Sequence, residues 1–336
     1  MAQGFVDLQV NGYSGVDFSC LDLTLEGVAS VGEALVKRGV AGYCPTVVTM
    51  PMEVYARNLP MLSEAAACDS GAGILGVHLE GPFINPEDGP RGAHVREHVI
   101  RPSVEVFERL RELTQDRIAI ITLAPEIDGA MELIEHVVRD AGTVVSLGHH
   151  AADRDTIRRA CDAGAKACTH VGNGLGDVIH RHKNPLWPML AEDRLSCMFI
   201  SDGHHVPLDM LRVCLRAKGA ERFIVASDVV HLAGMSPGEY RFHGLPVVVE
   251  KDGRLHRRGM YQLAGSTADM MKCMNVLASL GELDESELWR IGCENPLALI
   301  GMELRDSRPK HPTAVLYQGG RFSVRLPGEG CLEQAP

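Results

Sequence analysis

Eight short apolar runs occur along the first two thirds of the chain, and stretches with helical spacing separate most of them. The runs are apolar nearly throughout rather than alternating, which is typical of parallel strands that are buried on both faces. They cover residues 4–10, 42–48, 74–79, 118–123, 143–147, 166–171, 197–200 and 223–226. The helical stretches between them include residues 25–37, 104–113, 129–139, 153–163 and 207–217. This alternation favours the α/β class and a closed (β/α)8 TIM-type barrel over an open sheet.

The pattern changes after the eighth run. Residues 240–263 hold two strand-like runs around Lys251-Asp252-Gly253, which indicates a hairpin, and two helices are predicted at about 267–280 and 286–299. The Pro- and Gly-rich tail contains one further hairpin signal around Gly319-Gly320. We therefore predict a barrel over residues 1–302, with a β-hairpin insertion at about 238–263, and a short tail over residues 303–336.

Composition narrows the class of protein. The 336 residues suit one barrel plus additions, and a hydrophobic share of 45% supports a large core. The net charge of −11 is opposite to the basic footprint of a nucleic-acid-binding protein and gives no sign of attraction to anionic membranes. The ten cysteines are scattered singly, as reduced core residues are, and the chain has no signal-like start or long apolar span. We expect a cytoplasmic protein without nucleic-acid or membrane partners.

Four residues with catalytic chemistry stand at the ends of predicted strands. Glu80, His149, His170 and Asp228 end the segments GVHLEGPF, TVVSLGHH, KACTHVGN and RFIVASDV or lie close to their ends. In a parallel barrel, such side chains converge at the C-terminal mouth. A carboxylate and two imidazoles suit Zn²⁺ or Fe²⁺ with a position open for water, and Asp228 then suits a general base. The alternative is a hydrogen-bonded rim histidine at each position and a helix-capping aspartate.

The motifs around these residues resemble those of the N-acetylglucosamine-6-phosphate deacetylase family, which belongs to the amidohydrolase superfamily. The resemblance extends over about residues 4–302. The shared motifs, in order, are HLEGPF (78–83), GAH (92–94), LAPE (123–126), GHH (148–150), THVGN (169–173), DGHHV (202–206), SDVV (227–230) and LAGST (263–267).

The resemblance implies hydrolysis of the acetamide of an N-acetylamino sugar phosphate by metal-activated water. It assigns one divalent transition metal per subunit, zinc or iron, to Glu80, His149 and His170, and the acid/base role to Asp228. His94 would contact the substrate carbonyl and stabilise the oxyanion. The expected substrate-binding residues are His205, Asn173, Gly174, Arg181, Gln9 and Asn11. The last two stand where many amidohydrolases carry a His-x-His pair for a second metal, so one metal is expected.

Two departures from the family pattern concern substrate and architecture. Arg181 falls where the family places an arginine that reaches the phosphate in the neighbouring subunit, which implies a homodimer, but its surroundings in residues 174–190 differ. His204 and His231 add to a histidine-rich rim, which indicates an altered pocket. The family's small β-sandwich is expected to be reduced to a vestigial C-terminal hairpin, because the first strand begins almost at Met1.

Two alternatives remain open from the sequence. The same deacetylase chemistry could act on N-acetylgalactosamine 6-phosphate, an unphosphorylated amino sugar or an N-acyl amino acid. A catalytically silent barrel that binds a sugar or a metal is an alternative of a different class.

Overall fold

In the part of the chain that the structure describes, eight parallel strands lie side by side in sequence order and form the barrel. The structure is a computed structural model, and it describes residues 4–67, 72–140, 142–176, 178–303 and 314–325. The eight strands are Phe5–Val10, Val40–Val48, Val77–Glu80, Ile118–Leu123, Val144–Leu147, Ala167–Cys168, Ser196–Phe199 and Phe223–Val225. A two-residue strand, Gly73–Ile74, pairs beside the second strand. A parallel bridge between Val10 and Val229 joins the two ends of the sheet, so the predicted fold class is confirmed.

Helices on the outside of the barrel follow most of the strands. Several begin at a side-chain cap, such as Ser103, whose hydroxyl accepts a hydrogen bond from the Val106 N–H. The α-helices are Leu25–Lys37, Met52–Ala67, Val104–Leu113, Ala130–Asp140, Arg154–Asp162, Leu186–Ala191, Leu208–Arg222, Met270–Ala278, Glu285–Trp289 and Asn295–Leu299. A π-helical turn, Arg290–Glu294, joins the last two. None of the described helices is long and apolar enough to cross a membrane.

The barrel interior changes from apolar to polar towards the mouth. Side chains two residues apart on a strand share a face, so Ile120 and Val144 near the base are followed by Thr122 and Ser146 above them. Thr169 links the two hydroxyls by hydrogen bonds of 2.7 Å each, and the buried ring of His78 contacts the Thr122 hydroxyl at 2.8 Å. These bonds tie together the third to sixth strands below the mouth, and they form a fixed floor for the site.

The insertion after the eighth strand is a three-stranded antiparallel sheet rather than a simple hairpin. Its strands are Gly238–Phe242, Leu245–Val249 and Leu255–Arg257. The expected turn at Lys251-Asp252-Gly253 joins the second strand to the third, and a His243-Gly244 turn joins the first to the second. This sheet packs its apolar side against Val230 and Ala264 beside the barrel mouth.

The C-terminal hairpin packs on the barrel rather than forming a separate sandwich. It pairs Ala314–Gln318 with Arg321–Arg325. The Phe322 ring lies edge-on to Phe5 of the first strand, with centroids 5.1 Å apart, and to Trp289 at 5.3 Å. The domain boundary predicted at residue 302 remains a prediction, because residues 304–313 lie outside the described residues.

Candidate metal centre and active site

Three buried side chains from three strand ends meet at the mouth of the barrel. Glu80 is the last residue of the third strand, and His149 and His170 each lie two residues beyond the fifth and sixth strands. Their possible ligand atoms all lie within 4.8 Å of one another. Glu80 Oε1 is 3.1 Å from His149 Nε2 and 2.7 Å from His170 Nε2, and the two Nε2 atoms are 3.0 Å apart. The predicted ligand residues therefore converge on one point.

The chemistry of this cluster fits a divalent transition metal. His149 Nδ1 donates to the Pro90 carbonyl oxygen over 2.9 Å, so the lone pair of Nε2 is directed into the cluster. Burial opposes charge on both Glu80 and His170. However, the contacts with His149 and His170 hold the pKa of Glu80 well below its usual range, and Glu80 raises the pKa of His170. The cluster therefore favours a positive charge at its centre, which a cation with one oxygen and two nitrogen ligands supplies.

The backbone adopts a left-handed conformation at three of these positions. The φ angles of His149, His170 and Asp228 are 52°, 29° and 50°. Non-glycine residues seldom adopt such angles, which cost about 1–3 kcal/mol each and persist where the surroundings over-determine them. Each angle occurs just after a strand, where the chain turns outward while the side chain stays in the mouth. The strained backbone thus coincides with two of the predicted metal ligands and with the predicted acid/base residue.

Two glycines allow the loops to approach the His149 ring. A Cβ atom on Gly174 would lie 3.0 Å from His149 Nδ1, and one on Gly92 would lie 3.2 Å from its Cε1. Both glycines also have left-handed φ angles, of 61° and 59°. The ring is therefore held by backbone packed directly against it, and Gly174 contributes to this packing.

The group of Glu80, His149 and His170 is here called the metal cluster, because its side chains could hold one metal ion. Asp228 lies beside it and is held by two side-chain amides. Its Oδ1 accepts hydrogen bonds from Asn11 Nδ2 at 2.7 Å and from Gln9 Nε2 at 3.0 Å. Gln9 Nε2 also donates to Glu80 Oε1 at 2.9 Å. Burial, and then the charge of Glu80, raise the pKa of Asp228 to about 7. Gln9, expected as a substrate contact, is fully buried with its amide between the two carboxylates, whereas Asn11 also lines the cavity.

His94 is a neutral hydrogen-bond donor beside the metal cluster. The Thr49 backbone N–H donates to His94 Nδ1 over 3.3 Å, so the ring proton lies on Nε2. That nitrogen is 3.2 Å from His149 Nε2. Burial, and then the neighbouring His149, lower the pKa of His94 well below its usual value. The structure places His94 next to His149, and sequence reasoning gave no sign of the Thr49 contact.

A cavity of about 840 Å³ opens above the cluster. Its lining includes the metal cluster, Asp228 and His94, together with the predicted substrate residues Asn173, Gly174 and His205. His205 Nδ1 donates to Asp202 Oδ2 over 2.8 Å, which fixes its ring. Arg181 is exposed and lies outside this lining, and its carbonyl oxygen accepts a hydrogen bond from Trp187 Nε1 at 2.9 Å.

The chain is similar along most of its length to known deacetylases of amino sugar phosphates. It is 35% identical over 316 residues to N-acetylglucosamine-6-phosphate deacetylase of Bos taurus, covering 91% of this chain and 75% of that protein. It is 29% identical over 305 residues to N-acetylgalactosamine-6-phosphate deacetylase of Escherichia coli O157:H7, covering 90% and 78%. No protein-family model matches the chain.

The fold is similar to a solved structure of an N-acetyl-D-glucosamine-6-phosphate deacetylase. A mutant of N-acetyl-D-glucosamine-6-phosphate deacetylase from Mycobacterium smegmatis, in complex with N-acetyl-D-glucosamine-6-phosphate, superposes with a TM-score of 0.86 and 28% identity. The match covers 98% of this chain and 86% of the mycobacterial chain.

Proposed function

The chain belongs to the N-acetylglucosamine-6-phosphate deacetylase family, and from this premise we propose that it hydrolyses N-acetylglucosamine 6-phosphate to glucosamine 6-phosphate and acetate. The observation that carries the proposal is the buried cluster of Glu80, His149 and His170 beside Asp228, whose pKa is raised to about 7. Together they supply a place for a Lewis acid and a group that exchanges protons near neutral pH.

One divalent transition metal, zinc or iron, would be held by Glu80, His149 and His170. When bound, such a metal polarises an acyl carbonyl and lowers the pKa of a water molecule. Gln9 and Asn11 occupy the place of a second ligand pair, and we assign them a positioning role. They donate hydrogen bonds to Glu80 and Asp228 and so keep both carboxylates oriented.

Asp228 transfers a proton from the attacking water to the nitrogen of the leaving amino sugar. Both side-chain amides bind its Oδ1, so Oδ2 is left to take a proton from the attacking water. The same oxygen then gives this proton to the nitrogen of the leaving amino sugar. A pKa near 7 suits both steps, since neither protonation state is strongly favoured.

His94 stabilises the negative charge on the acyl oxygen. Its Nε2–H is fixed by the Thr49 contact to Nδ1, and it lies within a few ångströms of the metal cluster. A donor whose orientation is set before the reaction adds no reorganisation cost when the charge develops.

The phosphate and sugar would be held by Asn173, Gly174 and His205, which line the cavity. Arg181 is exposed and outside the lining of its own cavity. We therefore propose a homodimer in which Arg181 reaches the phosphate bound by the neighbouring subunit, with a bidentate hydrogen bond as its chemistry.

A second substrate deserves a direct comparison. N-acetylgalactosamine 6-phosphate is the substrate named for the relative from Escherichia coli O157:H7. It differs from the proposed substrate only in the configuration of one ring hydroxyl. The loop at residues 174–190 departs from the family pattern, so the choice between the two sugars has to be measured.

We also propose a cytoplasmic location. The eight cysteines in the described residues are all free thiols, and seven of them are buried. This use of cysteine is typical of proteins from reducing compartments.

The test is acetate release by the metal-loaded protein from four compounds: the 6-phosphates of N-acetylglucosamine and N-acetylgalactosamine, free N-acetylglucosamine and an N-acetylated amino acid. We expect the highest kcat/KM for N-acetylglucosamine 6-phosphate. Equal rates with and without the phosphate would contradict the substrate assignment. A protein that binds metal but releases no acetate from any of the four would be a silent barrel.

A further inference from the structure

A second carboxylate–histidine cluster lies beside the cavity. Asp17 Oδ2 is 3.2 Å from His231 Nδ1 and 3.8 Å from His243 Nε2. The backbone N–H of Ser19 donates to Asp17 Oδ1 over 2.8 Å, which fixes the carboxylate. Burial raises the pKa of Asp17, but the two histidines outweigh it and lower the pKa overall. A charged carboxylate is therefore held between two imidazoles.

His243 is the member of this cluster that lines the cavity, together with its neighbour Phe242. The His231 ring instead stacks on Phe242, with centroids 5.7 Å apart and planes 10° apart. His243 and Gly244 form the two-residue turn of the insertion, with φ angles of 46° and 82°. Such turns favour Asn-Gly, and a histidine in this left-handed position carries a conformational cost.

The cluster lies on the same side of the cavity as the reacting centre. Ser19, which holds Asp17, accepts a hydrogen bond on its hydroxyl from the Val48 N–H at 3.1 Å. The next residue along the chain, Thr49, donates to His94. Asp17 is thus linked through the Ser19–Val48 contact to the segment that holds His94, and His243 lines the same cavity as His94.

The surroundings of His243 favour the neutral ring, and the Asp17 carboxylate favours one of its two tautomers. Burial lowers the pKa of His243 despite Asp17, so the neutral ring is favoured. Asp17 Oδ2 lies 3.8 Å from Nε2, beyond hydrogen-bond distance, and its negative charge favours the ring hydrogen on that nitrogen. Nδ1 then carries a lone pair, which is a hydrogen-bond acceptor and requires a donor such as a hydroxyl group.

We propose that His243 is a specificity-determining residue, whose Nδ1 accepts a hydrogen bond from a ring hydroxyl of the N-acetylhexosamine phosphate, with Asp17 as its positioning residue. The proposal rests on the proposed function, because it names how that substrate is recognised. A site that pairs with a hydroxyl discriminates strongly against a sugar that presents it in the wrong direction. His243 thus distinguishes N-acetylglucosamine 6-phosphate from its epimer, N-acetylgalactosamine 6-phosphate.

The test compares kcat and KM for the two epimeric sugar phosphates in wild type, His243→Asn and Asp17→Asn. Asn-Gly is the preferred sequence for this turn, so His243→Asn preserves folding while its side chain is shorter than the imidazole. We expect KM for the better epimer to rise about 10- to 100-fold with kcat changed less than about threefold, and the epimer preference to fall about tenfold. Asp17→Asn shifts the preference in the same direction but by less.

His136→Asn is the matched control. Its ring is also paired with a carboxylate, Glu108, at 2.6 Å, but it lies on the outer helix Ala130–Asp140, away from the cavity. It should leave both KM and the epimer preference unchanged. An unaltered KM and epimer preference in His243→Asn, with an active wild type, would overturn the inference and leave the deacetylase function intact.

Binding of the two sugar phosphates, measured by isothermal titration calorimetry, tests the role of His243 independently of catalysis. If the wild type releases no acetate, the proposed function fails, and binding alone decides the role of His243. Weaker binding of one epimer to His243→Asn than to wild type supports the inference. Equal binding to both proteins, or no binding to either, overturns it.

Discussion

Asn11 donates its side-chain N–H to Oδ1 of Asp228 over 2.7 Å, beside a second donation to the same oxygen from Gln9. Asn11 stands where a His-x-His pair would supply a metal ligand in many amidohydrolases. Here the amide instead fixes the carboxylate that we assign to proton transfer, and both amides bind Oδ1 rather than Oδ2.

Asn11→Ala should therefore lower kcat by roughly 10- to 100-fold, the usual effect of removing a group that orients a catalytic side chain. Metal content should not change, since Glu80 keeps its hydrogen bond from Gln9. Steady-state kinetics and metal analysis of the same preparation check both parts. An unchanged kcat would show that Asp228 needs no orientation by Asn11.

Gly174→Ala should weaken metal binding by roughly 10- to 100-fold, because its Cβ would lie 3.0 Å from Nδ1 of His149, which we propose as a metal ligand. The control is Gly281→Ala, which has a similar left-handed φ of 69° but no atom within 4 Å of the new Cβ. Both variants carry the backbone strain, so only Gly174→Ala should lose metal to a competing chelator. Equal metal affinity in the two variants would contradict the close packing on His149.

His94→Ala should lower kcat by about 10²- to 10³-fold with a smaller change in KM, as expected for the loss of one oxyanion donor. His94→Gln restores a side-chain N–H and should recover part of the lost rate. Equal activity of the alanine and glutamine variants would indicate that His94 acts through packing and not through its hydrogen bond.

Asp7 makes the folding stability depend on pH. It is fully buried at the seam of the barrel, accepts a hydrogen bond from the Ser227 N–H at 3.1 Å, and burial raises its pKa to about 6. The folded protein thus holds this proton more tightly than the unfolded chain. The resulting stabilisation, of about 3 kcal/mol, is complete below about pH 4 and is lost as the pH rises through 6.

Denaturant titrations of wild type and Asp7→Asn between pH 4 and pH 7.5 measure this effect. Asparagine has no proton to lose, so the stability of the variant relative to wild type should rise by about 3 kcal/mol over that range. The difference between the two proteins removes the contribution of the other titrating groups. A constant difference would mean that Asp7 does not titrate in this range.

The sequence predicted that Glu80, His149 and His170 converge because a barrel brings strand ends together regardless of their separation along the chain. Glu80 and His170 are 90 residues apart, yet Oε1 and Nε2 lie 2.7 Å apart. The same argument located Asp228. The predicted family, the barrel and the C-terminal hairpin are confirmed by the relatives and by the fold.

Other contacts left no trace in the side-chain pattern. The donor that fixes the tautomer of His94 is the backbone N–H of Thr49, which any residue but proline would supply. The burial of Gln9 between two carboxylates depends on how the first strand meets the third and the eighth. The sixth strand ends at Cys168, short of the predicted residue 171, because the chain turns left-handed at His170.

The most direct test of the account is single-turnover acetate release from N-acetylglucosamine 6-phosphate by metal-loaded wild type and Asp228→Asn. The variant keeps the shape of the side chain but cannot accept a proton at neutral pH. We predict that it binds metal and sugar phosphate as wild type does, while its rate falls by about 10²- to 10⁴-fold. Acetate release at the wild-type rate by a metal-replete Asp228→Asn protein would contradict the assignment of proton transfer to Asp228.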